Sequence, residues 1–112
     1  MTTEQNIELL KSFYELLPGW NGNDSDPIPH AIIKTCLDHI EKFVIQPTIT
    51  PYDMGLSLEW ATGKNNLIQV NVSDQIEYIV SIEDDLVFDQ IIEAKFIVPY
   101  VNRVLKQELK NI

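Results

Sequence analysis

Between Gly55 and Ile82 apolar residues occupy every second position in three successive runs: Leu56, Leu58 and Trp60; Ile68, Val70 and Val72; Ile76, Tyr78, Val80 and Ile82. Side chains alternate faces along a strand, so each run has one apolar face and one polar face. The intervening stretches TGKNN and SDQ are of hairpin length. The pattern predicts a three-stranded antiparallel meander whose apolar face must be covered by something else.

Helices supply that cover. Residues 3 to 17 place Ile7, Leu10, Phe13, Tyr14 and Leu17 on one face of a 3.6-residue wheel, with Leu9 and Leu16 at its edge. Thr2 and Gln5 have capping-box spacing, and Pro18 and Gly19 stop the helix. A second helix is expected from about Pro29 to Val44, burying Ile33, Cys36, Leu37, Ile40 and Val44. Pro47 and Pro51 mark IQPTITPYDMG as an extended connector.

After Glu83–Asp85 the periodicity has two readings. Residues 86 to 92 suit a fourth strand, but Ile91, Ala94, Ile97, Val98, Val101, Val104, Leu105 and Leu109 keep one helical face in phase. The helical reading is preferred, with a kink or break at Pro99. The expected fold is therefore α+β: two N-terminal helices, a three-stranded or four-stranded antiparallel meander, and a C-terminal helix. A chain of 112 residues fits one domain, residues 1 to 112, around one core.

The net charge of −9 argues against direct nucleic-acid binding, where Lys and Arg must replace counterions. The acid is unevenly spread. No basic residue stands between Lys64 and Lys95, whereas Asp74, Glu77, Glu83, Asp84, Asp85, Asp89 and Glu93 all do. No signal peptide and no apolar run long enough for a membrane span is visible, so a cytosolic protein without membrane contact is expected.

Few residues point to chemistry. Asn21, Asn23, Asp24, Ser25 and Asp26 offer oxygen ligands, but a calcium loop begun at Asn21 would put its bidentate carboxylate at Ile32. Gly19 and Gly22 instead suit a tight connector, with Trp20 folded over the helix ends and its indole N–H on a loop carbonyl. Cys36 and His39 are near neighbours on one helix, yet Cys36 lies in the apolar stripe and reads as an inert core thiol. His30 completes the short set of nucleophile and base candidates. There is no phosphate-cradling glycine loop, no G-x-S-x-G and no H-E-x-x-H, and Arg103 is the one arginine. No metal or cofactor is expected.

The motifs LPGWNG at 17 to 22 and GLSLEW at 55 to 60, separated by a helix and a proline-spaced connector, resemble a set of small uncharacterised bacterial proteins. Those carry an LP-GWDG loop and a glycine-led strand ending in Leu-Glu-Trp. The resemblance spans residues 14 to 82 and implies a common scaffold in which Trp20, Gly22 and Trp60 are structural, with Trp20 and Trp60 packed on one core. Asn21 departs from the aspartate of that loop, and no reaction comes with the likeness.

The expectation is a non-enzymatic acidic module that binds a basic protein partner. It would occupy a basic or nucleic-acid-binding surface as a bacterial or phage antagonist does, acting as a nucleic-acid mimic. The contact residues expected are Glu59, Glu77, Glu83, Asp84, Asp85, Asp89 and Glu93. The alternatives are a small metal-dependent or hydrolytic enzyme using carboxylates near Glu59 or Glu83, and a homodimer joined through the C-terminal helix or a free sheet edge.

Overall fold

The computed structural model describes residues 2–20, 22, 26–52, 54–63 and 65–110, with side chains up to residue 107. The sheet has five strands in sequence order, β1 (Thr48–Tyr52), β2 (Gly55–Ala61), β3 (Leu67–Val72), β4 (Ile76–Ile82) and β5 (Asp85–Ile92), every neighbouring pair antiparallel. Among the described residues the helices are α1 (Thr3–Ser12), α2 (His30–His39) and α3 (Ile97–Lys110); short 3-10 turns follow α1 and α2 and precede α3. The α+β class holds, and the count of strands does not.

Two segments account for the correction. The expected connector contains β1, which tolerates Pro51 because an edge strand has one row of N–H groups that pairs with nothing. The segment preferred as helix is β5, and the helical phase starts in earnest only at Ile97. Pro99 is the third residue of α3, inside the first turn, where N–H groups have no helical partner. The helix is therefore neither kinked nor divided there. The side chain of Leu109 lies outside the described residues.

The strands read from alternation fall where expected. Register aligns Leu58 with Val70 and Trp60 with Ile68, and Val70 in turn with Tyr78. All of these are buried, in one core with Leu10 and Phe13 from the N-terminal segment, Ile33, Cys36 and Ile40 from the α2 segment, and Ile97, Val101 and Leu105 from α3. The Thr2–Gln5 capping box is formed, with Thr2 Oγ1 accepting from the Gln5 N–H at 3.1 Å and Gln5 Oε1 from the Thr2 N–H at 2.9 Å.

The lead-in to β1 is pinned from three directions. Asn6, fully buried on α1, donates to Gln46 Oε1 and to the Pro47 carbonyl, both at 3.0 Å. Trp60 on β2 donates to the Ile45 carbonyl at 2.8 Å and stands edge-on to Phe43 with centroids 4.9 Å apart. Asn102 on α3 accepts from the Val44 N–H at 3.0 Å and donates to the Lys42 carbonyl at 2.9 Å. No helix among the described residues is long and apolar enough to cross a membrane.

Candidate functional site

The residues that first suggest chemistry are dispersed. Asn21, Asn23, Asp24 and Ser25 lie outside the described residues. Trp20 is half-buried, and its indole N–H donates to the Asp26 carbonyl at 2.9 Å; Gly22 beside it has φ of +84°. Trp20 and Trp60 do not share a core, since Trp60 packs on Phe43 while Trp20 stays outside the buried cluster. Burial pushes the Cys36 thiol up to about 12, which leaves almost no thiolate near neutrality. His39 turns back on its own helix, Nδ1 lying 2.6 Å from the Thr35 carbonyl, and His30 packs edge-on against Tyr14. Among the described residues no three His, Cys, Asp or Glu side chains come together as metal ligands do.

The open face of the sheet carries the polar half of the alternation. Register sets Thr50, Ser57, Asn71, Glu77 and Ile91 in one row across all five strands, and Thr48, Glu59, Gln69, Ile79 and Asp89 in the next. The amide of Gln69 links the rows: Nε2 donates to Ser57 Oγ at 3.2 Å and to Asn71 Oδ1 at 3.0 Å. Ser57 in turn donates to Glu59 Oε1 at 3.4 Å, and Asn71 to Glu77 Oε1 at 3.2 Å. Donors thus run outward from Gln69 and end on a carboxylate at either side, which fixes Glu59 and Glu77 in place as acceptors.

The other acidic residues gather around β5. Glu83 and Asp84 are the two central residues of the β4–β5 hairpin, with φ of +52° and +67°, the arrangement of a type I′ turn. Neighbouring loop residues brace it. Asn66 Oδ1 accepts from the Glu83 N–H at 2.9 Å, and the Asn65 carbonyl from the Asp84 N–H at 3.0 Å. Asp85 and Asp89 follow on the strand, and Glu93 comes directly after it, 3.5 Å from Lys95 in an exposed ion pair.

What sequence reasoning missed is the apolar surface among these carboxylates. Leu86, Val87 and Ile91 are 63%, 58% and 57% exposed, on an edge strand of which only Ile92 is even half-buried. A register shift at Val80–Ser81 leaves Val87 unpaired between Leu86 and Phe88, a β-bulge that turns its side chain toward the helix side. There Val87 and Phe88 border a groove of about 450 Å³ floored by Tyr78 and Val80 and walled by Tyr100, Arg103 and Val104 of α3. The groove is aromatic at its base: Tyr78 meets Phe88 and Tyr100 at centroid distances of 5.4 and 5.6 Å. Burial raises the Tyr78 hydroxyl above its ordinary range, so it stays neutral there. An edge strand carrying apolar residues was the signal, and it was hidden because β5 is exposed on both faces and so does not alternate.

Compared with known protein families, curated proteins and solved structures, the chain matches none of them.

Proposed function

We propose that this protein is an acidic binding module for a basic protein partner, and that its working surface is the β5 side of the sheet. The observation that carries the reading is the composition of that surface. Exposed Leu86, Val87 and Ile91 lie among Glu83, Asp84, Asp85, Asp89 and Glu93, five carboxylates against Lys95, which pairs with Glu93, and Arg103 on the far wall of the groove. Apolar contact gives affinity, while the surrounding carboxylates steer and select a cationic partner. A basic surface that otherwise holds nucleic acid is one such partner. Glu59 and Glu77, held by the open-face network, extend the negative field across the sheet.

The test is affinity capture at low salt, comparing the native chain with a variant carrying Glu83→Ser, Asp84→Ser and Asp85→Ser. The expected result is a partner retained by the native chain, released by salt and lost from the variant. Equal capture by the variant, or by an unrelated protein of the same net charge, overturns the proposal.

A further inference from the structure

The sheet ends at β5 with one row of backbone N–H and C=O groups that pairs with no strand among the described residues. Natural sheets blunt such edges with proline, with short length or with charge. β5 has eight residues and no proline; the bulge at Val87 and the charge of Asp85 lie in its first half, and Asp89 is the one charge beyond them. Its second half, Phe88–Ile92, runs in unbroken register with β4 beyond the bulge.

Resting on the reading above, we infer that the partner contributes an extended segment that adds to Phe88–Ile92 as a sixth strand, with apolar and basic residues in alternation. The alternation follows from what each face of β5 offers. Toward the helices, Phe88 borders the groove walled by Tyr100, Arg103 and Val104, whose floor of Tyr78 and Val80 takes aliphatic side chains. Toward the open face, Asp89 stands in the row of Glu59 and Gln69, so a lysine or arginine opposite it meets a carboxylate. The edge supplies main-chain hydrogen bonds, and the two faces supply the choice of side chain.

A second copy of the chain is the poorer occupant. Antiparallel self-pairing centred on Asp89 would set Asp89 against Asp89 and Asp85 against Glu93, and any neighbouring register still crowds these carboxylates on one short ladder, between molecules of net charge −9 each. Like charges facing each other across a ladder oppose pairing.

The probe is a seven-residue peptide of alternating Val and Lys, capped at both ends, titrated into the full chain with amide NMR as readout. Controls are the same peptide with Glu for Lys and the Val–Lys peptide N-methylated at its central amides. Strand addition predicts shifts centred on Phe88–Ile92 and binding weakened about tenfold or more by N-methylation, as loss of several backbone hydrogen bonds requires. It also predicts that Asp89→Lys reverses the preference toward the Glu peptide. If the N-methylated peptide binds as well as its parent, or the shifts fall on β1 or the open face, strand addition is overturned while the acidic-surface reading stands. If the Glu peptide binds the native chain as well as the Lys peptide, the acidic-surface reading itself fails. A stable dimer with Phe88–Ile92 amides already protected overturns the inference in favour of self-pairing.

Discussion

The two edges of the sheet are built on opposite plans. β1 is five residues long, carries Pro51 and buries Ile49, and its lead-in is held by side chains from α1, β2 and α3. β5 is eight residues long, has no proline and leaves Leu86, Val87 and Ile91 exposed. One edge is short, anchored at its lead-in and interrupted by an imino acid that cannot donate; the other is long, free of proline and ringed with carboxylates. Whether a sheet edge can take another strand thus depends on its length, its prolines and the charge beside it.

That contrast can be broken most sharply at Trp60. Trp60→Ala removes a buried indole, its contact with Phe43 and its bond to the Ile45 carbonyl. It should destabilise the fold by about 3–5 kcal/mol in urea unfolding. Asn6→Ala leaves the Pro47 carbonyl without that donor, for a loss of about 1–3 kcal/mol by the same measurement. On the β5 side the sign reverses. Replacing Glu83 by Asn and Asp84 by Gly puts residues suited to positive φ in the type I′ turn and should stabilise by about 1–2 kcal/mol, read as a raised Tm. Smallest of all, Ile91→Lys should shift stability by no more than about 0.5 kcal/mol, because the side chain is already mostly in solvent.

Sequence alone made β2, β3 and β4 legible because each buries an apolar face and sets mostly polar residues on the other, so period two survives in the residues even where, as at Ser57, the polar side is itself buried. β1 was obscured by its prolines, which argue against a central strand but not against an edge. β5 was obscured twice over. Exposure on both faces removed its alternation, and Ile91 and Ala94 happen to continue the apolar phase of α3 backward. Pro99 then reads as a kink because the apolar phase runs back past Ile97, where α3 begins. Of the candidate surface, the carboxylates at 83, 84, 85, 89 and 93 were visible as charge. The apolar residues among them, and the groove under Phe88, were not, since Leu86 and Val87 stood in a segment assigned to helix.

Strand order equal to chain order has a kinetic consequence. Every strand pairs with the next in sequence, so the sheet assembles through short loop closures, each entropically cheap. The slow contacts are those of Asn6 with Pro47 and of Asn102 with Lys42 and Val44, which join helices far along the chain to the start of the meander. A refolding experiment should therefore find the hairpins of β2 to β4 protected early and the Asn102 clamp late. Until α3 docks, the apolar face of the nascent sheet has only part of its cover.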